Sequence, residues 1–159
     1  MTTDLSGPSR RKHITLVATA AAVFAVDLAT KLTASAALAD RDIDLPGPPG
    51  LRRSHSPGVA FGMGNDTPTW LVLTLTGAVA AGIAVAAWRG LFASSIAAGV
   101  VVGGALANVA DRSQAGTVVD MLYTGWWPTF NVADVAIVCG AFALAATAWR
   151  APPEPATVP

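Results

Sequence analysis

Four windows of this 159-residue chain, 14–38, 70–88, 91–110 and 130–149, are each long and apolar enough to cross a lipid bilayer. A helix rises about 1.5 Å per residue, so about 20 residues span the roughly 30 Å of hydrocarbon. Water is absent there to satisfy backbone N–H and C=O groups, and for windows of this length the helix is the form that satisfies them internally. The expected fold class is therefore an all-α integral membrane protein, a four-transmembrane-helix bundle in a single domain. The remainder divides into tails 1–13 and 150–159, loops 39–69 and 111–129 on the opposite side, and a tight turn at Arg89-Gly90.

Composition agrees with a membrane solvent. Hydrophobic residues make up 53% of the chain, charged residues only 13%, and the formal net charge is zero; soluble domains carry about 25% charged residues. A nucleic-acid partner is not expected, because that role wants a basic face. Disorder is excluded by the high hydrophobicity. A single cysteine, Cys139, excludes an internal disulfide framework and a thiolate zinc site, and is expected to pack as a small apolar residue. His13 and His55 lack metal-ligand spacing, and no serine sits in a nucleophile elbow. Gly103-Gly104 lies mid-span, where close helix packing is the simple account. Neither metal nor cofactor is expected.

Orientation follows from Lys and Arg. Arg10, Arg11, Lys12, Arg89 and Arg150 fall on the side of the termini, and Arg41, Arg52, Arg53 and Arg112 on the other. The triplet abutting the first span places both termini in the cytoplasm. That triplet, the apolar run after it and Ala34-Ser35-Ala36 also have the outline of a cleavable secretory signal. Asp27 and Lys31 interrupt that outline before the cut site, which favours an uncut first span. Trp126-Trp127, Trp70, Trp88 and Trp149 fit anchors at the membrane interfaces.

Charges within apolar spans are costly, rare and usually turned to a protein interior. Here they gather towards one membrane face. Asp27 and Lys31 stand one helical turn apart in span one; Asn108, Asp111 and Arg112 end span three; Asn131 and Asp134 open span four at spacing three. Asp27 and Lys31 read most simply as a mutually neutralising structural pair, and Asp111-Arg112 equally as a helix end at the interface. Asp134 has no cation within a turn of it, so it needs a partner, a proton or a task. A second carboxyl sharing one proton meets that need, since two adjacent carboxyls do not readily both ionise. Such a pair can activate water against a carbonyl, as in aspartic proteases. Asp120 is the best second member, ending the β-prone run Thr117-Val118-Val119. Two other classes stay open: a small proton-linked transporter, which would string its acids along a path, and a catalytically silent scaffold.

The string Gly103-Gly104-Ala105-Leu106-Ala107-Asn108-Val109-Ala110-Asp111-Arg112 resembles the G-G-A-L-G-N-x-x-D-R motif of the bacterial lipoprotein signal peptidases (signal peptidase II). Val118-Val119-Asp120-Met121 and Phe130-Asn131-Val132-Ala133-Asp134 are similar to that family's V-V-D-F and F-N-x-A-D blocks, and Asp27-x-x-Thr30-Lys31 to its D-x-x-T-K element. Pro57-Gly58-Val59-Ala60-Phe61 resembles N-x-G-x-A-F, with Ser56 at the asparagine position and Ala107 replacing a glycine in the first motif. Serine is shorter than asparagine and offers one donor.

The resemblance implies an aspartic endopeptidase of the bacterial plasma membrane that removes the signal peptide of diacylglyceryl-modified prolipoproteins, cutting just before the lipidated cysteine. It implies Asp120 and Asp134 as catalytic residues, with Asn108, Asp111, Arg112, Asn131, Asp27, Lys31, Ser56 and Gly58 supporting them or binding substrate. It implies a small β-rich cradle outside the membrane, within 39–66, and an active site facing the extracytoplasmic side. Expected partners are the prolipoprotein and membrane lipid, with the enzyme acting as a monomer.

Overall fold

The computed structural model describes residues 10–39, 41–56 and 68–150, with Ser56 by its backbone alone. Four helices and three short strands follow one another: α1 (Arg10–Ala37), β1 (Ile43–Asp44), β2 (Gly50–Ser56), α2 (Thr69–Trp88), α3 (Ser95–Ala115), β3 (Val118–Tyr123) and α4 (Val132–Trp149).

Glycines on α3 set the packing. A Cβ on Gly99 would stand 2.7 Å from the Leu16 carbonyl oxygen, and one on Gly103 2.5 Å from that of Ala20. Helices α1 and α3 therefore touch backbone to backbone and run in the same direction. Gly104 meets the Ala133 carbonyl in the same way, and Gly140 meets Val101, which sets α4 antiparallel to α3. His13 Nε2 lies 3.0 Å from the Trp88 carbonyl oxygen, joining the start of α1 to the end of α2. The result is an up-down-up-down bundle with Arg10 and Arg150 at one end. Without an added hydrophobic force between helices in lipid, small residues that permit such approach become the packing determinants.

Gly103→Ala is accordingly expected to destabilise the protein by about 1–3 kcal/mol through overpacking. Gly77→Ala on α2, where an added Cβ meets nothing within 4 Å, should instead stabilise by up to about 1 kcal/mol through helix propensity. Unfolding in detergent, followed by tryptophan fluorescence, reads both signs.

The bundle is apolar on the outside. Val17, Val26, Leu32, Val79, Val138 and Phe142 are all exposed, a distribution suited to lipid rather than water. Among the described residues, α1, α2 and α4 are long and apolar enough to cross a membrane. Helix α3 is not in that set, because Asn108, Asp111 and Arg112 lie in its last two turns; it is instead the helix most enclosed by the others, burying Ala97 through Gly99, Val101 through Ala105, Ala107 and Asn108. The sequence leads to an expectation of four spans; among the described residues three helices meet the length and apolarity of a span, and α3 packs among them. Cys139 also departs from expectation: it is exposed on the outer face of α4.

Helix bounds differ most at α3, expected over 91–110. Ser94 caps its start, accepting from Ala97 N at 3.1 Å, and Gly116 ends it in a left-handed conformation, φ 72°, donating to the Arg112 carbonyl. Asp111 and Arg112 thus belong to the helix, not to a loop. The sheet, in antiparallel order β1-β2-β3, draws on both loops rather than on 39–66 alone. Arg52 secures it, pairing with Asp42 and Asp44 and lying 4.5 Å above the Tyr123 ring.

Candidate active site

Residues from four elements meet where α1 and α3 end and α4 begins. Strand β3 is the piece that completes them. Ser54 of β2 pairs with Asp120, and Phe130 returns alongside Leu122, each donating its N–H to the other's carbonyl at 3.0 and 2.8 Å. That return sets Asn131 against Asp120, and Asn131 Nδ2 donates to Asp120 Oδ1 at 2.8 Å.

Asn131 also caps α4. Its Oδ1 accepts from Asp134 N at 2.9 Å, while its own N–H donates to Asp134 Oδ2 at 3.3 Å, a reciprocal capping box. A single asparagine therefore holds both carboxyls, one through its side chain and the other through its backbone. Asn108 closes the ring: its Nδ2 donates to Asp134 Oδ1 at 2.8 Å, and its Oδ1 accepts from Asn131 Nδ2 and Lys31 Nζ, both at 3.3 Å. Asn131 is 0% exposed and Asp120 4%.

Beneath this ring, Lys31 lies 2.5 Å from Asp27 Oδ2 and 2.7 Å from Asp111 Oδ2. Asp27 Oδ1 accepts from Ala133 N at 2.7 Å, so a carboxylate on α1 takes up a free donor in the first turn of α4. The Arg112 guanidinium stands in the field of Asp134, Asp120 and Asp111 together. Four carboxyls thus face two cations.

The structure brings Asp27, Lys31, Asn108, Asp111, Arg112, Asp120, Asn131 and Asp134 into one cluster. Ser56 ends β2 with its backbone opposite Val118, and Gly58 lies outside the described residues. Sequence reasoning missed the Ala133 N–H, for which no side-chain signal exists. It also missed the capping box, although Asn131-x-x-Asp134 before an apolar run carries its signature.

Beside the cluster, an apolar cavity of about 290 Å³ opens between the end of α1 and the sheet. Thr30, Ala34, Ala37, Leu51, Met121 and Val132 are among its walls. Three of its walls, Thr30, Met121 and Val132, adjoin Lys31, Asp120 and Asn131 in sequence.

Known proteins resemble this chain in sequence and in fold. The family model for signal peptidase (SPase) II matches residues 19–150. A lipoprotein signal peptidase of Rhodococcus jostii is 37% identical over 152 residues, covering 86% of this chain and 73% of that protein. One from Pelotomaculum thermopropionicum is 38% identical, with 79% and 85% covered, and one from Mycobacterium avium is 34% identical, with 86% and 79% covered. The fold matches a solved bacterial membrane enzyme at a TM-score of 0.73, with 22% identity over 88% of this chain and 93% of that one. The chain belongs to the signal peptidase (SPase) II family, a family of proteases.

Proposed function

We propose that this protein is an aspartic endopeptidase that removes signal peptides from diacylglyceryl-modified prolipoproteins, with Asp120 and Asp134 as the catalytic pair and the cut just before the lipidated cysteine. The observation that carries this reading is the hold of Asn131 on both carboxyls, which brings residues fourteen apart in sequence to one point. One carboxylate takes a proton from water, and that water attacks the scissile carbonyl. The protonated partner hydrogen-bonds the carbonyl oxygen and then gives its proton to the leaving amine. A transporter reading is disfavoured because the acids gather at one end of the bundle instead of lining a path through it.

Asn108, Asn131 and Arg112 orient the pair, while Asp27, Lys31 and Asp111 brace α1, α3 and α4 around it. Helix α3 crosses the bilayer as the enclosed fourth span: its 21 residues extend about 31 Å, close to the hydrocarbon thickness. The described residues at the end with Arg10 and Arg150 carry cations and no carboxylate, which supports cytoplasmic termini in the plasma membrane and a site facing outward. The substrate's acyl chains lie in the bilayer, so partitioning supplies much of their binding.

The test is cleavage of a purified diacylated prolipoprotein by the purified protein in detergent, with the product's N-terminus read by mass spectrometry. A product beginning at the lipidated cysteine is expected, and the unlipidated precursor should stay intact. No cleavage, or a cut elsewhere, overturns the reading.

The 290 Å³ cavity is where the reading places an apolar part of the substrate. Ala34→Trp fills it, and the expected result is a KM raised about tenfold with kcat within about a factor of two, the pattern of lost uniform binding.

A further inference from the structure

The opposite end of the bundle carries a second feature that the protease reading does not use. His13 and Trp88 lie face to face, ring centroids 3.9 Å apart and planes 2° from parallel. A carbonyl only accepts, so the contact between His13 Nε2 and the Trp88 oxygen at 3.0 Å requires the proton on Nε2. This contact satisfies a carbonyl that the end of α2 would otherwise leave without a partner. The stacked rings close the top of an outward-facing apolar groove of about 360 Å³, lined by Ile14, Val17, Ala18 and Ala21.

Charge at the groove is of one sign. Arg10 stands one turn before His13 and Ile14 on the same helical stripe, Arg11 and Lys12 adjoin it, and Arg89 follows Trp88 directly in the turn; all four are exposed. Among the described residues, every carboxylate lies in the half of the molecule that holds the aspartate pair. A signal peptide is itself positively charged at its N-terminal end and is repelled here.

We propose that this groove binds one anionic phospholipid, its phosphate among Arg10, Arg11 and Arg89 and an acyl chain along Ile14, Val17 and Ala21 against Trp88. The groove accounts for the chain, the cations for the headgroup, and only a molecule with both matches the two together. Zwitterionic lipid fits the apolar part but gains little from four exposed cations.

Native mass spectrometry of the full chain in neutral detergent tests this with dioleoyl phosphatidylglycerol against dioleoyl phosphatidylcholine. One phosphatidylglycerol should be retained at least tenfold more tightly than phosphatidylcholine. R10Q/R89Q, which alters only exposed side chains, should weaken that retention about tenfold, and Trp88→Ala should weaken it further. R41Q/R53Q at the other end should leave it unchanged. Equal retention of the two lipids, equal loss in R41Q/R53Q, or retention unaltered in R10Q/R89Q each overturns the proposal. So does displacement by glycerol phosphate, which lacks acyl chains, at the same concentration as the lipid.

Discussion

Asp134→Asn and Asp120→Asn should each reduce prolipoprotein cleavage by at least about 10³-fold, the upper part of what a positioned acid or base contributes. Both substitutions are nearly isosteric: Asp120→Asn keeps an oxygen for the bond from Asn131, and Asp134→Asn keeps one for Asn108, giving up only the 3.3 Å bond from the Asn131 N–H. The bundle should therefore keep its melting behaviour while chemistry stops. The reason is electronic: an amide neither takes a proton from water nor shares one with its neighbour. A gel-shift assay of precursor and product reads the rate, and unfolding in detergent shows that the fold survives. Processing at the wild-type rate by either variant excludes the shared-proton mechanism.

Lys31→Met should produce the largest loss of stability, about 3–5 kcal/mol, the range for removing one partner of a buried ion pair. Lys31 is the contact between Asp27, which is 1% exposed, and Asp111. Methionine leaves both acids without their cation in a site withdrawn from water. The double variant Asp27→Asn/Lys31→Met should recover at least half of the loss, because the introduced amide is neutral and its oxygen still accepts from Ala133 N. Additive losses in that cycle would show that the pair does not act as a unit. Activity should fall with the single variant as well, since Lys31 also donates to Asn108, which in turn holds Asp134.

Much of this site is legible without coordinates. Asp134, one turn inside an apolar helix without a nearby cation, demands a partner, and Asp120 on a β-prone run is the acid best able to reach it. The end of α3 is not legible, for a physical reason. Hydropathy falls at Asn108, Asp111 and Arg112 as it would at a membrane interface, whereas Lys31 from α1 pairs with Asp111 and lets the helix run on to Ala115. A window average along one segment contains nothing about Lys31, which stands 77 positions before Asn108 in sequence. The sheet is half visible for the same reason, since β3 is supplied by the second loop and its partner β2 by the first.

The sequence by itself determined that four apolar helices form in a membrane, though not where α3 begins and ends, and which acids had to be explained, because hydropathy and charge cost are local properties of the chain. Tertiary structure alone decided which of those acids share a neighbour. Asn131 reaches Asp120 and Asp134 together only because Phe130 folds back along β3. Asn108 reaches Asp134 only because Gly104 lets α3 approach the backbone of α4. Close approach depends on atoms from distant segments occupying, or leaving empty, the same few ångströms.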